Sequence, residues 1–343
     1  MGIMIISLGF AFVLGFSAHR AGVCTVSAVN EVMTSKSARL FASFLKVVLW
    51  VLLVNVIALW WWPDLVKEST QYQLTPFVFA GGFVFGVGAG INGGCSFSTV
   101  SKIAQGEIHV ALTLPSFVAG AYLFASVTSD FKVFHVVQNQ IKPAELHTYI
   151  VIGLLVWACY ELARIVRPFV TRKTSWNSLL ARRYRLSSAA ALMGICSGLL
   201  YLMHGRWSYS SGVLDYFVPG SSRTPLDGPV AAWLFLALLS GAITSAVINR
   251  QLDFTFARDK WHRNITGGLL MGAGAAMVPG GNGKLILHDL PDLAANAFFA
   301  YLFMIIGIAL TLMLQKKIYG AIQIVSCGGD LCKVEKSAEK QNT

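Results

Sequence analysis

Residues 81–99 read "GGFVFGVGAGINGGCSFST". Seven of the first fifteen are glycine, the surroundings are strongly apolar, and the run ends on a cysteine followed by hydroxyls. Glycine weakens a helix by roughly 1 kcal/mol per residue relative to alanine, so the run needs a reason other than helix formation. Spacing gives half of it. Gly82, Gly86, Gly90 and Gly94 recur every four residues, which draws a smooth stripe along one face and lets a second helix approach closely in lipid. Gly93, Gly94 and Cys95 fall outside that explanation. They break the helix and leave bare backbone amides, which a membrane tolerates only where the chain is buried in protein or lines a cavity. Amides of this kind, with the N-terminus of a following helix, attract anions. "NGGCSFST" is therefore expected to be a re-entrant loop, followed by a short helix with Ser96 or Ser98 as N-cap.

The rest of the chain supports a membrane setting. Of its 343 residues, 55% are hydrophobic and 13% charged, against about 25% charged in a soluble chain. Apolar runs approach the roughly 20 residues that cross a bilayer, near 2–18, 40–62, 76–92, 108–127, 148–163, 186–204, 230–249, 264–278 and 293–314. The expectation is an all-α integral membrane bundle of about nine transmembrane helices, with the lipid bilayer as its partner. The first apolar run lacks a basic leader and is read as a retained span. The net charge of +11 calls for no nucleic acid. If loops alternate sides, 20 Lys and Arg fall on one side and 6 on the other, and basic loops face the cytoplasm. That places the N-terminus outside and the C-terminus inside.

The opening stretch has an echo. "GGLLMGAGAAMVPGGNGKLIL" (267–287) repeats the Gly-Gly start, the four-residue spacing of small residues and a closing Gly280-Gly281, with Asn282 in the place of Cys95 and one extra residue. A weaker echo joins "GFSAHRAGVCTVSAV" (15–29) to "GLLYLMHGRWSYSSGVL" (198–214), with Ser208 opposite Cys24. The chain reads as a duplication: a first repeat at 1–165, a cytoplasmic linker at 166–185, a second repeat at 186–320 and a cytoplasmic tail at 321–343, all one membrane domain. The copies begin on opposite sides. They are inverted repeats, an arrangement that places a transport site near the midplane where the repeats meet.

The expected path is lined by Cys24, Thr25, Gly93, Gly94, Cys95, Ser96, Ser208, Gly280, Gly281 and Asn282. Cys24 follows a glycine and precedes hydroxyls, as Cys95 does. A cysteine at a helix N-terminus is a better sulfur nucleophile or donor. Cys159 and Cys196 lie within spans and read as small buried hydrophobes. The six cysteines show neither a disulfide framework nor zinc spacing; Cys327 and Cys332, in "CGGDLCK", read as an incidental tail, with a cytosolic thiol pair as the other reading. No metal, cofactor or ATP-binding motif is indicated. Arg20, beside His19, and Arg206, beside His204, are placed to draw anions in by their field, or to sit among lipid head groups.

At "LGFSAHRAGVCTVSAVNEVM", "GGFVFGVGAGINGGCSFSTVSKIAQGE" and "GGLLMGAGAAMVPGGNGKL" the chain resembles the YeeE/YedE family of bacterial inner-membrane proteins. The resemblance implies an hourglass with loops dipping to the centre from both faces, import of thiosulfate, and loop-tip cysteines that hand the ion on by S–H···S contacts. It also implies a small cytosolic sulfur-carrier protein as partner, and for some members selenium handling. It carries across Cys24 and Cys95 directly. A third family cysteine would follow the second Gly-Gly, where Asn282 offers amide donors but no sulfur. The leading expectation is a transporter of a small sulfur-containing anion, thiosulfate first, and not an enzyme. The rivals are a membrane thiol enzyme relaying sulfur or electrons between Cys24 and Cys95, a transporter of selenium compounds or another small anion, and a carbonyl-lined cation channel.

Overall fold

The computed structural model describes residues 2–65, 71–128, 136–137, 148–170, 183–208, 210–212, 228–258, 260–278, 280–320, 324–328 and 330–335; much of the linker 166–185 and the end of the tail 321–343 lie outside them. The first half is built from α1 (Gly2–Ala21), α2 (Thr25–Ser35), α3 (Arg39–Trp61), α4 (Pro76–Asn92), α5 (Ser96–Ala104), α6 (Ile108–Ala111) and α7 (Thr113–Val127). After α8 (Thr148–Val170), the second half holds α9 (Leu186–His204), α10 (Gly228–Ile248), α11 (Trp261–Met277), α12 (Asn282–Lys284) and α13 (Ala295–Tyr319). A π-helical turn, Leu285–Asp289, continues α12. Two short antiparallel strand pairs accompany the helices: β1 (Gln71–Tyr72) with β2 (Val136–Val137), distant along the chain, and the hairpin of β3 (Ile324–Gly328) with β4 (Leu331–Glu335).

Among the described residues, seven helical segments are long and apolar enough to cross a membrane. The nine expected spans exceed that number by 148–163 and 264–278, which fall on α8 and on α11, the latter with 17 residues. Exposed side chains are apolar around the whole bundle, as in Ile3, Leu45, Leu123 and Val156, which suits a surface facing lipid chains. Trp60, Trp61 and Trp62 are exposed together at the end of α3, where aromatic rings anchor a span at the head-group level.

The glycine-rich segments are continuous helices, not broken ones. Pro76 starts α4 at a position where its missing N–H is harmless, and Gly93, in the left-handed region at φ 69°, ends it. The glycines between serve packing. A Cβ on Gly86 would lie 2.2 Å from the Met304 carbonyl oxygen, and one on Gly272 would lie 1.9 Å from that of Phe117. No side chain fits at such distances, so backbone rests on backbone.

The packing is symmetric in its pairs. The principal contacts are α4 with α11, α4 with α13, α11 with α7, α1 with α10, α3 with α9, and α1 with α9. Exchanging α1, α3, α4 and α7 for α9, α10, α11 and α13 returns the same six pairs. The pairing of α4 with α11 is reciprocal at single residues: a Cβ on Gly81 would stand 3.0 Å from the Gly274 oxygen and one on Gly274 2.6 Å from the Gly81 oxygen, while Gly88 and Gly267 meet in the same way at 2.7 and 2.8 Å. Low numbers in α4 meet high numbers in α11, so the two helices run antiparallel and their Gly-Gly ends leave at opposite ends of the pair.

Candidate functional site

Both Gly-Gly loops turn back from those opposite ends toward the middle of the helix pair. A Cβ on Gly281 would lie 3.5 Å from the Phe85 ring, halfway along α4. Ser96 and Thr99 share a small cavity with Met271, halfway along α11. Polar side chains hold the first loop in this course. Asn92, at the last turn of α4, donates to the Gly94 carbonyl at 3.0 Å and to the Thr99 hydroxyl at 3.2 Å. Its own oxygen accepts from Thr113 at 2.9 Å and from Asn264 at 2.7 Å. Lys102 donates to the Gly93 carbonyl at 2.9 Å. Sequence reading missed Asn92; an asparagine before Gly-Gly at the end of an apolar helix is the signal that marks it.

The tip residues act as helix starts. Cys24 is the N-cap of α2 and Cys95 that of α5, and neither Ser96 nor Ser98 fills the role expected of it. A serine there would place its hydroxyl inside the first turn, whereas the extended backbone at Cys95 (φ −79°, ψ −179°) is the conformation of an N-cap. Gly281 starts α12 with nearly the same backbone, φ −85° and ψ −178°. Judged by capping, the counterpart of Cys95 is Gly281 and that of Ser96 is Asn282, so the extra residue counted in the second copy is not needed. Ser208 and Cys24 share one local feature: the Ser208 carbonyl accepts from the Gly212 amide at 2.9 Å, as that of Cys24 accepts from Ala28 at 2.9 Å.

The four tips converge. The Cys24 and Cys95 thiols lie against each other, each also beside the backbone amide three residues on, at Ser27 and Ser98. Both cysteines are buried and free of any disulfide. The Asn282 amide, 0% exposed, donates to the Thr25 hydroxyl at 3.0 Å, which joins the two halves beside the thiol pair. The Asn282 oxygen and the Ser96 hydroxyl, both buried, have no hydrogen-bond partner. Ser208 meets Ser210 at 3.2 Å and Ser211 at 2.8 Å, and Ser210 packs where a side chain on Gly281 would stand, 2.9 Å from its Cβ position. Amides, hydroxyls and two thiols thus gather between the loop tips, with the N-termini of α2, α5 and α12 among them.

On the side of Cys24, a cavity of about 270 Å³ opens, lined by Cys24, Arg20, Lys102 and Arg183 among others. Arg20 stacks over the Phe16 and Tyr184 rings at 4.7 and 5.4 Å and donates to Ser245 at 3.2 Å. Arg206 is placed differently. It pairs with Asp292 at 2.9 Å and faces Asp289 at 3.9 Å, while Lys284 faces Asp289 at 3.6 Å. Its charge is answered inside the protein, so the field expected of it at the other mouth is largely cancelled. Cys196 is buried as expected, but Cys159 is exposed on α8. The tail is not incidental in structure either, since Cys327 and Cys332 form a disulfide across β3 and β4; the spacing that showed no framework conceals a cross-strand pair.

Seven apolar helices with polar loop tips packed between them suit a membrane transporter. The chain belongs to the family described as Sulphur transport, whose model matches residues 20–310, and it is accordingly a transporter and not an enzyme. It is 24% identical over 324 residues to the thiosulfate transporter TsuA of Spirochaeta thermophila, a match covering 86% of this chain and 94% of that protein.

Proposed function

We propose that the chain imports thiosulfate, as a desolvated anion, through the constriction between the four loop tips. The observation that carries this reading is the thiol pair: Cys24 and Cys95, far apart in sequence, meet between the loop tips of a sulfur-transport protein. An anion stripped of water needs donors fixed in advance, because flexible ones would have to be reordered on every passage. Helix N-termini and amides supply partial positive charge. The thiols add S–H donors and polarizable sulfur, a match for a terminal sulfur that a hydroxyl gives less well. The similarity to TsuA over nearly the full length of both chains supports the substrate.

In this reading the halves 1–165 and 186–320 are inverted repeats, supported by the exchangeable helix pairs and the antiparallel α4 and α11. The protein sits in the bacterial inner membrane with its N-terminus outside and its C-terminus in the cytoplasm, as the distribution of Lys and Arg favours. The anion meets Ser208, Gly280, Gly281 and Asn282 first, then Cys95 and Cys24, and leaves through the cavity beside Arg20, where a cytosolic sulfur-carrier protein would receive it. A sulfur-auxotrophic host carrying the chain should grow on thiosulfate and lose that growth with Cys95→Ala; growth on sulfite or selenite but not on thiosulfate overturns the substrate. A reporter fused after Gln315 should be active only as a cytoplasmic reporter, and periplasmic activity there overturns the orientation.

A further inference from the structure

The C-terminal hairpin is built onto the cavity below Cys24. Strand β3 packs on α2, the short helix that Cys24 starts. Arg39 Nη1 donates to the Cys327 carbonyl at 2.7 Å, Ser35 donates to that of Val325, and Arg183 to that of Cys332. The turn is tied down as well. The Leu186 amide donates to the Asp330 carbonyl at 2.8 Å, and the Asp330 carboxylate faces Arg164 at 3.7 Å and Arg185 at 3.9 Å. Cys327 and Cys332 stand directly opposite each other in the ladder, and Cys332 with Val325 lines the same cavity as Cys24, Lys102 and Arg183. The path therefore ends at sulfur as well as passing it. The buried Glu31 carboxylate lies within 4.8 Å of both sulfurs, an acceptor ready for an S–H donor when the bond is open.

We propose that Cys327 and Cys332 form a thiol–disulfide switch at the exit of the path: as a dithiol, Cys332 is a third sulfur station for the anion after Cys95 and Cys24, and as a disulfide its sulfur is withheld and the hairpin is locked over the cavity. Its ligand rests on the transport reading above, and its redox setting on the cytoplasmic placement of the C-terminus given there. A disulfide on a face bathed by reducing cytosol is of the transient, sensing kind. Oxidation takes two electrons and two protons from the two thiols and passes them to a small-molecule disulfide of the glutathione type, which leaves as two thiols; reduction is the reverse exchange. Arg183, Arg20 and Lys102 line the cavity and favour a bound anion there, while the Glu31 carboxylate beside the sulfurs favours the protonated thiols.

The test uses the full-length protein with Cys159→Ala, which removes the exposed cysteine of α8. Oxidised glutathione should abolish maleimide labelling at Cys327 and Cys332 together, with dithiothreitol restoring it. In Cys327→Ser, which keeps the Cys332 thiol free, thiosulfate should slow maleimide labelling of Cys332 severalfold and sulfate should slow it less. Labelling indifferent to thiosulfate, or equal protection by sulfate, overturns the sulfur station. In proteoliposomes, oxidised glutathione should lower thiosulfate uptake severalfold in the parent and leave uptake by the double variant Cys327→Ser, Cys332→Ser, which has no hairpin thiol to form a mixed disulfide, untouched. Equal inhibition of both would assign the redox response to Cys24 and Cys95 and overturn the switch. Absent uptake in every variant, with Cys332 still protected by thiosulfate, would instead overturn the transport reading and leave the site standing.

Discussion

The tips at Cys24 and Cys95 face each other thiol to thiol, whereas the tips at Ser208 and Gly281 bring together hydroxyls, a bare glycine and the Asn282 amide. Behind each mouth the contrast continues. Arg20 lines an open cavity, stacks on two aromatic faces and donates to the Ser245 hydroxyl. Arg206 is locked between Asp289 and Asp292 with Lys284 close by. Soft donors thus stand with Arg20 on one side, and hard donors in a neutralised setting on the other. In the proposed transport reading, selectivity for sulfur belongs to the first side and admission of an anion in general to the second.

Breaking the second side should cost stability before it costs selectivity. Arg206→Ala leaves two buried carboxylates short of their partner, and removing one member of a buried ion pair destabilises by about 3–5 kcal/mol. The measurement is thermal unfolding in detergent; an unchanged unfolding temperature would return Arg206 to an anion-attracting role. Arg20→Gln trims a buried side chain stacked on two rings, so it should cost some stability as well, but its uptake defect should be largest at low ionic strength, where fields are least screened.

Breaking the first side acts on transport. Cys95→Ala removes a donor at the constriction, and an ion left short of one charge-assisted contact loses about 1.5–3 kcal/mol, roughly ten- to a hundredfold in flux. Cys24→Ala should match it or be milder. Radiolabelled thiosulfate uptake decides the matter: normal uptake with both cysteines replaced sinks the sulfur relay and leaves an anion path of amides and hydroxyls. Asn282→Ala sharpens the contrast with a smaller effect. It removes the 3.0 Å bond to Thr25, a neutral hydrogen bond of about 1 kcal/mol, so uptake should fall roughly fivefold with the preference for thiosulfate over sulfate intact. A lost preference would move selectivity to the outer tip.

The smallest effects belong to the cysteines off the path. Cys159→Ala changes an exposed side chain, and such changes lie within about 0.5 kcal/mol. Cys196→Ala trims a buried one and should cost some stability but no uptake. A strong transport defect in either would break the assignment of thiol function to Cys24 and Cys95.

The amino-acid sequence by itself determined the membrane class, the glycine stripes and the four places where helices give way to loop tips. These are local properties: hydropathy, a four-residue period and runs of Gly-Gly act through the residues next to them. It misplaced the N-cap of α5, expected at Ser96 or Ser98 and found at Cys95, because capping depends on which backbone N–H groups the neighbouring helices leave open. Tertiary structure alone decided that the two thiols touch, that Asn282 reaches Thr25, that Asn92 holds the first loop, that Arg206 is neutralised and that Cys327 meets Cys332 above the cavity of Cys24. Apart from the short-range meeting of Cys327 with Cys332, each contact either joins residues distant along the chain or depends on neighbours that are. The antiparallel packing of α4 on α11 and of α1 on α9 sets where those residues meet, and no local pattern in the chain encodes it.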